Sequence, residues 1–123
     1  MADIYHEVIL EHWKNPKNKG KIKNPDFTYE IYNPFCGDKI KIYIKANKNI
    51  IKDVKFEGKG CAISQAGASL LTEKVKNKSI SYAKKLDKED MLKMLNLKEI
   101  SPIREKCMMI SLNALKGALK NKK

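Results

Sequence analysis

The sequence of 123 residues predicts an α+β fold: an N-terminal helix, a three-stranded antiparallel sheet, then helices packed on that sheet. Three observations predict it. Apolar residues recur at helical spacing before residue 15, and apolar and polar residues alternate almost strictly over residues 39–45. Helix-forming composition with capping residues then dominates after residue 64. At this length one domain, residues 1–123, is expected, and folding should bury roughly two-thirds of the unfolded surface.

Asp3 to Lys14 place Ile4, Val8, Ile9 and Trp13 on one side of a helix, with Asp3 as its cap. Asn15, Pro16 and Asn18 end it, and Gly20 to Pro25 form a basic connector. Phe27 to Ile31 alternate as a first strand, and Asn33-Pro34-Phe35-Cys36-Gly37-Asp38 has the composition of a turn. Lys39 to Lys45 form the second strand. Asn47-Lys48-Asn49 turns the chain back, and Ile50 to Glu57 read as the third. Short links between sequential strands favour an antiparallel meander.

Gly58-Lys59-Gly60 stops the third strand just before Cys61. Ser64 is placed to cap a helix over Ala66 to Lys76, and shorter helices follow near Ser79–Leu86 and Lys88–Leu95. Ser101 at the N-cap and Pro102 at the first helical position open the last helix, which reaches Leu119. Ile103, Cys107, Ile110 and Ala114 share one stripe of it.

No apolar run is long enough to span a bilayer, and the N-terminus lacks the basic-then-apolar order of a secretory signal, so a cytoplasmic protein away from membranes is expected. Three cysteines in a reducing compartment point to metal binding, sulfur chemistry or burial rather than to a disulfide framework. The net charge of +12 invites a nucleic-acid reading. Against it, every basic residue except Arg104 is lysine, the lysines are dispersed, and no RNP, Cys2His2 or KH motif is present. No nucleic acid is expected as a partner; a lysine-rich surface that attracts an acidic protein fits better.

Each cysteine sits where structure is predicted to change. Cys36 lies in the first inter-strand loop, two residues before Asp38; Cys61 lies at the strand-to-helix junction; Cys107 lies in the second turn of the last helix. An anionic sulfur at Cys61 would face the unpaired N–H groups of a helix start. Arg104 and Lys106 are close enough in sequence to favour an anion at Cys107. Twenty-two residues separate Asp38 from Cys61 and 45 separate Cys61 from Cys107, which is no zinc-finger spacing. Three thiols and a carboxylate suit either a tetrahedral zinc site or part of an iron–sulfur cluster, and a free cysteine is as often a small buried hydrophobe. His6 and His12 are six apart, off the i, i+4 spacing of a shared helix face, and read as surface or helix-packing residues.

The sequence resembles the IscU, SufU and NifU N-terminal family of iron–sulfur cluster assembly scaffold proteins, over nearly its whole length. Tyr5, Val8, His12, Pro16 and Asn18 match the family's first helix and its exit. Asn33-Pro34-Phe35-Cys36-Gly37-Asp38 matches the first cysteine motif, and Phe56 to Ser64 with Ala68-Ser69 the second. Arg104-Glu105-Lys106-Cys107 stands in the place of the third. The resemblance implies that Cys36, Cys61 and Cys107 ligate a transient [2Fe–2S] cluster, or a zinc ion, with Asp38 as the exchangeable fourth ligand. It implies a cysteine desulfurase as sulfur donor, Cys107 flanked by Lys106 and Arg104 as persulfide acceptor, and apo iron–sulfur proteins as cluster recipients.

Two departures bear on subtype. IscU proteins have histidine before the third cysteine, where this chain has Lys106 as SufU proteins do; yet the chain lacks the insertion usual in SufU before that cysteine. A scaffold and a zinc-dependent sulfurtransferase are therefore both implied. The IscU chaperone-recognition segment is represented only by Ile100-Ser101-Pro102-Ile103-Arg104, so the resemblance does not extend to a dedicated Hsp70 system.

Overall fold

The computed structural model describes residues 2–34 and 37–120, with side chains from residue 7 onward. Helix α1 (Ala2–Lys14) leads to strands β1 (Phe27–Asn33), β2 (Asp38–Asn47) and β3 (Ile50–Lys59). Helices α2 (Ala62–Val75), α3 (Ile80–Lys84), α4 (Lys88–Met94) and α5 (Pro102–Lys120) follow. The sheet is antiparallel in the order β1-β2-β3, as the alternation requires. Ile40, Ile42 and Ile44 of β2 are fully buried, and the register sets Ile42 against Phe56 and Ile44 against Val54. These residues point to one face, where α2 and α5 pack.

Helix α2 is buried nearly all round, from Ile63 to Ser69 and again at Leu71, Thr72 and Val75. Its small residues Ala66, Gly67 and Ala68 let α1, α4, α5 and β3 approach it together. Helix α5 lies along β1 and β2. There the ring of Tyr29 presses on Gly117, where a Cβ would meet it at 2.4 Å. The short helices are closed by local caps. Ser79 accepts from the Tyr82 N–H, and Asp87 and Asp90 form a reciprocal capping box. Ser101 accepts from the Arg104 N–H, as its place before Pro102 predicts.

The segment between α1 and β1 is more than a connector. The Phe56 N–H donates to Asn18 O, the Gly20 N–H donates to Phe56 O, and Lys19 forms a parallel bridge with Phe56. It then runs to β1 over outward-facing side chains, with Lys21 near Glu57 and Lys45 Nζ donating to Asn24 O. Beneath it Tyr43 is buried, donates to Glu57 and carries Lys41 5.1 Å from its ring centre. Burial first, then the hydrogen bond and charge of Glu57 and the charge of Glu30, push the Tyr43 phenol up to about 12.

Several expectations are corrected. Helix α1 begins at Ala2, so Asp3 lies inside its first turn rather than capping it. Of the predicted stripe Ile9 is buried and Val8 half-buried, while the side chain of Ile4 lies outside the described residues; Trp13 is 48% exposed, because the chain leaves the helix at Lys14 before anything covers it. Ile103 is 71% exposed, one turn short of where α5 meets the core at Cys107. Helix α2 starts four residues early, at Ala62, with Cys61 and not Ser64 as its N-cap. The strands each extend beyond the alternating runs, so that Asp38 belongs to β2, paired with Asn33. No described helix is long and apolar enough to cross a membrane.

Candidate metal centre

Three chain segments meet at the end of the sheet nearest the start of α2. Strand pairing with Asn33 fixes Asp38 as the first residue of β2, and its side chain is 1% exposed. β3 ends at Lys59, Gly60 turns the chain, and Cys61 enters α2 in extended conformation. The Cys61 N–H donates to Asp38 Oδ1 at 3.1 Å, and Cys61 Sγ lies 3.8 Å from Asp38 Oδ2. Ser64, the residue predicted as cap, instead donates its hydroxyl to Cys61 O at 2.9 Å and holds the turn from the other side.

Gly60 makes this arrangement possible. It has φ +157, and a Cβ there would stand 2.4 Å from Asp38 Oδ1 and 2.5 Å from Ser64 Oγ. Sequence reasoning treated this glycine as a strand stop and missed its packing role; its place immediately before Cys61 was the available signal.

Cys107, on the second turn of α5, is 3% exposed and belongs to the hydrophobic core. The ligand atoms of Asp38, Cys61 and Cys107 all lie within 4.8 Å of one another. Cys36, the fourth predicted ligand, lies outside the described residues. Arg104 and Lys106 are exposed and diverge. Arg104 lines a groove against α1 and the start of α2, and Lys106 lines another against the end of β1. His12 is not part of the site: its Nδ1 is 2.7 Å from Ser69 Oγ, which fastens α1 to α2. The side chain of His6 is outside the described residues.

Two thiols and a carboxylate form a donor set for zinc or iron. A tetrahedral ion with sulfur at about 2.3 Å and oxygen at about 2.0 Å sets ligand–ligand edges of roughly 3.5–3.8 Å. The Cys61–Asp38 pair already has that separation, and the widest pair closes by a movement of about an ångström. One backbone N–H and the N-terminal end of α2 face the Asp38 carboxylate, and a cation between the three groups would be a further partner for it.

Comparison with known proteins places the chain in a family. The model of the NifU-like N terminal domain matches residues 4–123. The chain belongs to the NifU-like N-terminal domain family. Among its relatives, the zinc-dependent sulfurtransferase SufU of Bacillus subtilis is 38% identical over 134 aligned positions, covering 95% of this chain and 90% of that protein. The iron–sulfur cluster assembly enzyme IscU of Drosophila melanogaster is 41% identical over 120 positions, covering 94% of this chain and 76% of the other. Among solved structures, FiSufU, a candidate scaffold protein for the SUF system from Fervidobacterium islandicum AW-1, superimposes with a TM-score of 0.80 at 32% identity. That match covers 92% of this chain and 94% of the other. The predicted fold and family both stand.

Proposed function

We propose that this chain is an iron–sulfur cluster assembly scaffold: it takes sulfur from a cysteine desulfurase, gathers iron on Cys36, Cys61 and Cys107, and passes the cluster to apo-proteins. The observation that carries the reading is the convergence of Asp38, Cys61 and Cys107, from three separate segments, within 4.8 Å. Iron and sulfide are cargo here. Thiolate sulfurs are the soft, firmly held donors, and the Asp38 carboxylate is the harder, weaker one that can let go first. In the sulfur-delivery step the Cys107 thiolate attacks the outer sulfur of the donor persulfide. The sulfur–sulfur bond breaks, the donor thiolate leaves, and a persulfide remains on Cys107. Because Cys107 is covered, this step requires its surroundings to open, whereas Cys61 is partly exposed already.

A second reading, a zinc-dependent sulfurtransferase that relays persulfide sulfur, is favoured by Lys106 beside Cys107 and by the named activity of the SufU relative. In that case Asp38, Cys61 and Cys107 would hold the zinc, with Cys36 as the expected fourth ligand, and the ion would stabilise the thiolates.

One experiment separates them: metal analysis of the purified protein, then anaerobic reconstitution with iron and sulfide and transfer to an apo-ferredoxin. A cluster that forms and moves to the ferredoxin supports the scaffold. Tightly held zinc, no transferable cluster and faster desulfurase turnover would replace it with the sulfurtransferase. Asp38→Ala should hold a reconstituted cluster longer than wild type, read by its visible absorbance; faster loss would contradict the labile-ligand role.

A further inference from the structure

The two edges of the sheet are treated differently. On β3 the edge is covered, since Asn18 and Gly20 bond to Phe56. The outer edge of β1 pairs with no strand or bridge among the described residues. Natural edges are commonly guarded by lysine, proline or a bulge. β1, Phe27-Thr28-Tyr29-Glu30-Ile31-Tyr32-Asn33, has neither lysine nor proline, although β2 carries Lys39, Lys41 and Lys45 and β3 carries Lys52, Lys55 and Lys59. The register shift in the sheet lies on the far side, between Lys45 and Ala46. Beside this edge a groove of about 470 Å³ opens between the end of β1 and α5. Ile31, Met109 and Ile110 give it an apolar floor, Tyr32, 59% exposed, stands at its rim, and the acidic residue of its lining, Glu105, is paired with Lys88 at 3.1 Å. At one end it reaches Lys106, next to Cys107 in the chain, and Pro34, the last described residue of β1's exit.

We propose that this edge and groove bind an extended acidic segment of a partner protein, which adds a strand to β1 and lowers alternate aliphatic side chains onto α5. Backbone bonds along the edge would give affinity, and the apolar lining would select a side chain at every second position. The opposite side chains of the segment would lie toward the outer face of the sheet, where Lys39 and Lys41 of the neighbouring strand stand beside Tyr32 and Glu30. That face, on a chain of net charge +12, favours acidic residues at those positions. A second copy is a poor occupant, since it brings two chains of +12 together. Binding at this edge needs neither metal nor sulfur.

The probe is an acetylated peptide as long as β1, seven residues, alternating aspartate and valine. It is added to the metal-free, isotopically labelled full chain. Expected are slowed amide exchange over residues 27–33 and NMR shift changes over 105–113. N-methylation of alternate peptide residues, or Met109→Lys in the protein, should weaken binding on the order of tenfold or more. If Met109→Lys does not fold, the N-methyl comparison on the wild-type chain decides alone. Equal binding of the N-methylated peptide would overturn the proposal, since charge alone would then account for the affinity. So would shifts confined to lysines remote from β1, no binding at millimolar peptide, or dimerisation of the chain through residues 27–33.

Discussion

Gly60 stands between two groups that must touch. Its missing side chain leaves room for Asp38 Oδ1 to accept the Cys61 N–H, and for Ser64 Oγ to reach the Cys61 carbonyl. A methyl group at this position has to push the buried Asp38 carboxylate away from the Cys61 N–H that it accepts. Gly60→Ala should therefore lower stability by about 1–3 kcal/mol and weaken metal binding together. Urea unfolding and competition for zinc against a chromophoric chelator check this; wild-type values for both would refute it. At this scale the sequence was partly legible. Cys61 announced itself by the glycines before it, whereas the burial of Asp38 did not, because Asn-Pro-Phe-Cys-Gly-Asp reads as an exposed turn until pairing with Asn33 draws Asp38 into the strand. Cys107 was placed correctly on its helix, but its burial depends on what packs over α5, which no local pattern encodes.

Among the elements, α2 carries a polar stripe that faces inward. Ser69 Oγ lies 2.7 Å from His12 Nδ1 and accepts the Lys17 N–H at 2.7 Å; Asn18 donates to Thr72 and Lys19 to Gln65. These bonds fasten the exit of α1 along the helix that Cys61 begins. Ser69→Ala leaves the Lys17 N–H and the His12 ring without that partner and should cost about 1–3 kcal/mol. Chemical denaturation measures it, and an unchanged midpoint would show that water replaces the hydroxyl at no cost. Alternation made β2 legible from sequence alone, since its inward isoleucines and outward lysines have a period of two. The start of α2 was not legible: Ala62 to Gln65 have no periodicity to separate them from the preceding loop, and the helix is covered on nearly every face.

The crossing segment over Tyr43 gives a pH signature at the same scale. In the unfolded chain the phenol has its ordinary value of 10.0, and in the folded protein it is held at about 12, so between those values the native state binds the extra proton. Its contribution to stability is complete below pH 10 and is lost as the pH rises through 12. Tyrosinate absorbance should show a transition near pH 12 that Tyr43→Phe removes; an unaltered titration curve would contradict the burial of this ring.

For the whole molecule, the decisive feature is closure. The sheet delivers Asp38, the strand-to-helix turn delivers Cys61, and α5, crossing the sheet from the other end of the chain, delivers Cys107. Meander topology and helix count could be reasoned from periodicity and turn residues. The meeting of residues 38, 61 and 107 could not, since 22 and 45 intervening residues carry no distance information; the family motifs implied it, and packing produced it. If these three side chains hold one metal ion together, anaerobic cobalt(II) titration reads it through the thiolate-to-metal charge-transfer absorbance. Saturation is expected at one equivalent, with the band reduced in both Cys61→Ser and Cys107→Ser and its ligand-field pattern altered in Asp38→Ala. A band that Cys107→Ser leaves at full intensity would contradict it.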